Sequence, residues 1–344
     1  MNAQRLLIVG DRGGTNVGQA LENAAVGLGI EAKLVQSRLA MEAPAWVRRA
    51  NWWLRGKRPT KLSQFSSLIV DECRRWRPDT VLATGIAPIT KRALLDIGEM
   101  GIRRVDYLTD DPWNAAHRAP WFLEALPHYD RVFSPRVANI PDLIRHGCSE
   151  VTYLPFAYAP ELHYPDPPKS EADRAMFDAD VIFAGGAEAA RVATIERLIR
   201  SGFNIALYGD HWNRFSGTKA SDRGHANPVT LRQATTVAKT ALCLVRHANR
   251  DGNVMRTFEI AAMGACMLVE DTVEHRNILG TDGEAVLYFR TADQMVDRLR
   301  WLLAHDEERV RLGATVRTRI TNGGNTYGHR LQTMLAVTGT APRS

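Results

Sequence analysis

Short apolar runs recur along the whole chain. In the first half they are Arg5–Val9, Glu31–Val35, Thr80–Thr84, Val105–Leu108, Asp130–Ser134 and Val151–Leu154. In the second half they are Asp180–Ala184, Asn204–Tyr208, Ala241–Val245, Cys266–Val269 and Gly283–Phe289. Runs this short and this rich in Val, Ile and Leu predict strands buried on both faces of a parallel sheet. Between them, apolar positions recur at helical spacing over 16–28, 61–75, 90–100, 230–239, 254–263, 292–304, 307–320 and 328–337. In the helix over 61–75, for example, Leu62, Phe65, Ile69 and Cys73 fall on one face. Strand and helix alternate throughout, which predicts an α/β protein with helices on both faces of its sheets.

One segment departs from this pattern. Met41 to Thr60 is rich in both Trp and Arg, with Trp46, Ala50, Trp53 and Leu54 on one helical face and Arg48, Arg49, Arg55, Lys57 and Arg58 around it. It reads as an amphipathic basic helix. Such a helix packs against its own domain, seats a protein on an anionic membrane surface, or grips a nucleic acid or other polyanion. A packed helix is the ordinary outcome.

A chain of 344 residues is too long for one comfortable core and fits two domains. Pro155, Pro160, Pro165, Pro167 and Pro168 mark the crossing, because such a cluster can be neither helix nor central strand. The expected division is 1–160, 175–325, and a last helix and tail over 326–344. The composition, 45% apolar, is that of an ordinary globular protein, and no apolar run is long enough to span a membrane. A cytoplasmic location follows, with a peripheral position at the inner membrane face as the alternative. Cys73, Cys148, Cys243 and Cys266 are scattered and read as reduced core thiols. The net charge of +6 suits an anionic partner without selecting one.

The richest stretch is Arg246 to Glu270. A strand leads into a polar loop with Gly252 and Asn253, which opens a helix that Gly264 ends. Unpaired N–H groups at a helix start, beside the carboxyl edge of a strand, form the phosphate site of open α/β sheets. Asp251 and Glu259, eight positions apart, frame this loop. Carboxylates there suit the hydroxyls of a nucleotide-sugar. The plainer alternative makes Asp251 an N-cap and pairs Glu259 with Arg256 on the helix surface.

The run R-T-F-E-I-A-A-M-G-A, with E-D-T-V-E-H, G-E-A-V-L-Y-F and N-T-Y-G-H-R, resembles CgeB-like (spore-maturation-protein-like) glycosyltransferases of the GT-B fold. The acid pair also resembles the E-x7-E element of retaining GT-B transferases, with Asp in the first acidic place. The likeness covers roughly 180 to 335 well and the N-terminal half loosely. It implies two Rossmann-like domains facing across a cleft, with the last helix crossing back to the first. It implies that Glu259 holds the ribose, that Asp251 with Gly252 and Asn253 holds the donor sugar, and that Arg256 lies in the donor set. A basic residue early in the helix after Gly185-Gly186 would meet the pyrophosphate, and Arg191 occupies that place. Tyr208-Gly209-Asp210-His211-Trp212 resembles the family's Y-G-x-x-W element, where Trp212 shapes the base pocket or only packs. Gly13 and Gly14 either close over donor or acceptor or form a tight turn; their spacing with Gly10 fits no dinucleotide fingerprint.

On the acceptor side, Asp110, Asp111 and His117 follow a strand end, where open sheets place chemistry. A carboxylate or His there could serve as a general base. Alternatively one acid caps a helix begun by Pro112. D-D is not the D-x-D of metal-dependent transferases, so neither metal nor cofactor is expected. The expected function is transfer of a sugar from a nucleoside-diphosphate sugar to an unidentified acceptor, with retention favoured by the acid pair. The alternatives are a GT-B epimerase or phosphorylase, a nucleotide- or nucleic-acid-binding module, and a transferase acting on a polyanion such as DNA.

Overall fold

The computed structural model describes residues 4–13 and 16–336, and Gly14 lies outside them. The chain divides into two compact units. The first comprises 1–155, the short segment 247–251 and 327–344; the second comprises 156–246 and 252–326. Residues 156–160 thus group with the second unit, and the segment before the donor-loop glycine groups with the first.

The first unit begins β1 (Arg5–Gly10), α1 (Val17–Gly27), β2 (Glu31–Gln36), α2 (Ala45–Leu54), α3 (Leu62–Trp76) and β3 (Thr80–Thr84). It continues with α4 (Lys91–Glu99), β4 (Arg103–Tyr107), α5 (Pro120–Ala125), β5 (Arg131–Ser134), α6 (Ile140–Arg145) and β6 (Val151–Tyr153). Its six strands are parallel in the order β2-β1-β3-β4-β5-β6. Leu6 to Val9 and Val81 to Ala83 are wholly buried, as a doubly covered sheet requires. The edge strand β2 buries only Leu34 and Val35.

The second unit contains α7 (Glu171–Phe177), β7 (Val181–Ala184), α8 (Ala189–Arg200), β8 (Ile205–Tyr208), α9 (Pro228–Val237) and β9 (Thr240–Cys243). There follow α10 (Met255–Ala262), β10 (Met267–Glu270), α11 (Val273–Leu279), β11 (Leu287–Phe289), α12 (Ala292–Ala304) and α13 (Asp306–Asn322). Its five parallel strands run β11-β10-β9-β7-β8. The order reverses beside β7 and β9, and that switch point is where such sheets bind ligands. The last helix, α14 (Tyr327–Leu335), belongs to the first unit and packs on α1. Arg330 Nε donates to Pro155 O at 2.8 Å, and Arg103 Nη1 to Leu335 O at 3.3 Å.

Two expectations are corrected. Pro112 starts no helix: Asp111 Oδ1 accepts the Trp113 N–H at 3.0 Å in a local turn, and helix resumes only at Pro120. The Trp/Arg helix α2 buries none of its residues, so it is not a packed core helix. The four cysteines are buried and free, and burial pushes each thiol up to about 12. At neutral pH they stay protonated, which disfavours thiolate reactivity.

Candidate functional site

In the second unit the chain turns sharply after β7. Gly209, just past β8, lies at φ +144° against this turn, and a Cβ there would collide with Gly185 O. Only glycine allows the two strand ends so close. Beneath them Trp212 is fully buried, its Nε1–H donating to Gly185 O at 2.7 Å and its ring meeting Phe183 edge-on at 5.8 Å. Tyr208 is buried too, and its carbonyl accepts the Gly185 N–H at 2.8 Å. Trp212 therefore braces the turn from inside, a packing role.

Three arginines converge above this turn. Arg191, in the first turn of α8, donates to Gly186 O at 3.4 Å and lies over the Phe183 ring at 5.5 Å. Arg256, in the first turn of α10, donates to Ala184 O at 3.2 Å. Arg246, beyond β9, pairs with Glu188 Oε1 at 2.5 Å, and Arg191 Nη1 lies 3.5 Å from the same oxygen. Two helix starts and three guanidinium groups thus meet at the carboxyl edge of β7 and β9, against two acids, Glu188 beside Arg246 and Arg191 and Glu259 beside Arg256. That is a strongly anion-attracting arrangement. Arg246 and Glu188 escaped notice in the sequence because each stands outside any motif.

The start of α10 is held by a hydrogen-bond chain. Val254 N–H donates to Thr257 Oγ1 at 3.1 Å, and Thr257 Oγ1 lies 2.9 Å from His275 Nε2. His275 Nδ1 faces Glu270 O at 2.8 Å, so Nδ1 carries the proton and the Thr257 hydroxyl donates to Nε2. Burial pushes the His275 imidazole down to about 4, keeping it neutral. Thr272 Oγ1 accepts the His275 N–H at 2.9 Å, capping α11, and donates to Gly252 O at 2.5 Å. Asn253 Nδ2 donates to Glu274 Oε2 at 2.5 Å, and a Cβ on Gly252 would sit 2.5 Å from Glu274 Oε1. A side chain at Gly252 would thus press on that carboxylate and its bond to Asn253.

Glu259 is not a surface residue: it is wholly buried. Its Oε2 accepts from Arg256 Nη1, so the i, i+3 pair exists, but inside the protein. Its Oε1 has no hydrogen-bond partner and lies 3.6 Å from His163 Nε2. His163 Nδ1 accepts the Ala159 N–H at 3.0 Å, which leaves the ring proton on Nε2, facing the carboxylate. Burial, reinforced by Arg256, pushes the His163 imidazole down to about 3. His163 comes from the proline-rich segment, which the sequence marked only as a crossing.

In the first unit, Asp111 is almost fully buried and receives Arg250 in fork geometry, Nε to Oδ2 at 2.7 Å and Nη2 to Oδ1 at 3.0 Å. Arg250 also reaches Asp142 Oδ2 at 2.5 Å and Asn139 Oδ1 at 3.4 Å. Its neighbour Asp251 forms a buried ion pair with Arg136. Asp251 is thus not the N-cap of α10 and is held by Arg136, and Asp111 anchors Arg250. Asp110 is half-buried, packed near Gly85, and His117 is half-buried with its N–H on Asn114 O at 2.8 Å. Gly13 forms the tight turn at φ +96°, its carbonyl taking Asn16 Nδ2 at 2.7 Å.

Two first-unit features carry no sequence motif. Asp106 on β4 is wholly buried, and among the described residues neither carboxyl oxygen has a hydrogen-bond partner. Burial and the nearby Asp110 hold it well above the usual carboxylate range. Close to Arg250 lies an open hollow of about 360 Å³ lined by Trp113, Asp142, Arg145 and His146. Trp113 meets His146 edge-on at 6.0 Å and carries the Arg250 guanidinium over its ring at 5.9 Å.

This architecture is the GT-B fold. Its solved relatives in shape include sucrose-phosphate synthase from Thermosynechococcus elongatus, at TM-score 0.68 and 12% identity over 96% of this chain and 97% of that one. An E. coli protein titled trehalose-6-phosphate, bound with UDP-2-fluoro glucose, superposes at 0.64 and 14% identity, over 96% and 98% of the two chains. A UDP-N-acetylglucosamine 2-epimerase superposes at 0.54 and 14% identity over 91% of each. In sequence, residues 190–336 match the family described as Glycosyl transferase-like. No curated protein matches the chain.

Proposed function

We propose that this chain is a glycosyltransferase whose second unit binds a nucleoside-diphosphate sugar. The observation that carries the reading is the convergence of Arg191, Arg246 and Arg256 on the turn after β7, within the region that matches a glycosyltransferase-like family. In transfer, the bond between the sugar C1 and the diphosphate oxygen breaks and the electron pair leaves with the diphosphate. Fixed cations aimed at that oxygen are worth most when its charge has grown, and they need no metal. The acceptor hydroxyl oxygen bonds to C1, and its proton passes to the departing phosphate oxygen. This front-face course retains the anomeric configuration.

Glu259 supplies ribose recognition once its Arg256 pair opens toward the ligand, and Gly252 and Asn253 present the loop amides. The acceptor sits on the first unit, where the Trp113 ring beside Asp142 and Arg145 offers the flat apolar face and planar polar groups that suit a sugar ring. Asp110 and His117 stand as acceptor-side candidates.

The test is calorimetric titration with UDP-, GDP-, ADP- and dTDP-sugars, on the natural protein and on Arg191→Ala and Arg246→Ala, with product analysis by mass. One nucleotide should bind, and each variant should weaken it roughly tenfold to a hundredfold through loss of a charge-assisted contact. Binding to none of them, or binding indifferent to both substitutions, overturns the donor site. Binding with conversion of the donor in the absence of any acceptor would favour the epimerase reading.

A further inference from the structure

We propose that α2 docks the first unit onto an anionic lipid bilayer surface, a property independent of the donor reading. Every residue of α2 is at least partly exposed. Trp46, Trp53 and Leu54 are 74%, 77% and 83% exposed, and they lie with Ala50 along one face of the helix. Of the half-buried residues, Val47 and Asn51 follow Leu54 around the helix and Trp52 lies on the far side. The helix therefore turns its most apolar face to solvent, the reverse of a helix that serves a core.

The attachment is defined at the end of the helix. Trp121 Nε1 donates to Lys57 O at 3.2 Å, Lys57 Nζ donates to Ala115 O, and Gly56 turns the chain at φ +59°. This fixes the outward presentation of the Trp pair instead of leaving the helix to collapse inward.

Charge selects the occupant. Arg48, Arg49 and Arg55 are exposed and, among the described residues, form no ion pair, and no acidic residue occurs between Glu42 and Asp71 in the sequence. Two Trp rings and a Leu with Arg49 beside them, Arg48 and Arg55 exposed on the other side of the same helix and no acid in the segment's sequence suit the headgroup boundary. There the indole bodies lie among acyl chains, their N–H groups stay wet, and guanidinium groups meet lipid phosphates. A groove for a folded protein partner would carry acids as well as bases. A nucleic-acid surface would stack its rings without needing Leu54 beside them. Helix α2 is far too short to span the bilayer, and among the described residues no helix is long and apolar enough to cross a membrane.

The experiment is flotation of the full chain with vesicles of phosphatidylcholine alone and of phosphatidylcholine mixed with phosphatidylglycerol, followed by tryptophan emission. Three proteins are compared: natural, Trp46→Ser/Trp53→Ser/Leu54→Ser, and Arg48→Gln/Arg49→Gln/Arg55→Gln. All replaced side chains are exposed, so thermal unfolding in buffer should be unchanged across the set. The natural protein should float with the mixed vesicles and its emission should shift to the blue. The charge variant should bind roughly a hundredfold more weakly, and the apolar variant should lose the blue shift. Equal binding to both vesicle types, or indifference to both variants, overturns the proposal. So does capture by a duplex DNA fragment without vesicle binding, or a concentration-dependent dimer that the apolar variant abolishes while vesicles bind neither protein.

Discussion

His163 Nε2 lies 3.6 Å from Glu259 Oε1, with both side chains sealed from solvent. The imidazole is neutral and its proton points at the carboxylate, because its other nitrogen is filled by the Ala159 N–H. The separation is slightly too long for a hydrogen bond, so a small movement of Glu259 makes or breaks one. A residue of the proline-rich segment therefore guards the acid expected to read ribose.

Glu259→Gln should fold, since it keeps the side-chain shape, but it removes the charge that Arg256 meets. With Arg256 partly exposed, we expect a loss of about 2 kcal/mol in urea unfolding and a tenfold or greater weakening of the donor nucleotide. Unchanged nucleotide affinity at reduced stability would leave Glu259 a structural ion pair only.

His163 and His275 both sit below the ordinary imidazole value of 6.5, at about 3 and about 4. Below pH 6.5 the unfolded chain takes up protons that the folded second unit refuses. Stability contributed by these neutral rings is therefore full above that pH and is lost as pH falls through the window toward 4. Each ring can add a slope of up to about 1.4 kcal/mol per pH unit. Urea midpoints of the natural protein between pH 7 and pH 5, set against those of His163→Phe, measure it; the variant should show the shallower fall.

Asp106 has the opposite sign. Its folded value is raised above the ordinary 3.8, so its contribution is present below that pH and lost as pH rises. Asp106→Asn should then stabilise the protein more at pH 7 than at pH 4 relative to the natural chain, read from the same unfolding series. A loss at pH 7 would mean the carboxylate is ionised and paired.

Arg250 closes the Asp111 and Asp142 carboxylates at once. Removing it by Arg250→Ala leaves Asp111 buried without its partner, with an expected destabilisation of about 2–3 kcal/mol. Because residues 247–251 lead into the donor loop, turnover should fall further than donor affinity does. Steady-state kinetics beside calorimetry separates the two.

Gly209→Ala forces a Cβ against Gly185 O at a φ that L-residues avoid. The turn above Trp212 must open, and we expect a destabilisation of about 2–4 kcal/mol. Thermal unfolding checks it, and a silent substitution would show that the turn is looser than described.

What the sequence determined by itself is local. Apolar runs such as Leu6–Val9 and Val181–Ala184 can satisfy their backbone only in a ladder, and the helical periods between them dictate parallel pairing. The loop with Gly252 and Asn253 ahead of a helix, and the Arg256–Glu259 pairing, also followed from spacing, because each lies within one strand-loop-helix unit, whereas Arg191 came from the family resemblance. Tertiary structure decided everything that depends on a partner distant in the chain. It buried Glu259 against His163, turned Asp251 to Arg136 and Asp111 to Arg250, drove Trp212 beneath Gly185, and brought Arg246 beside Arg191 through Glu188. It also left α2 without a core to cover. A charge or an aromatic ring reads alike in sequence whether it faces water or the interior. Only the packing around it decides which free energy it contributes.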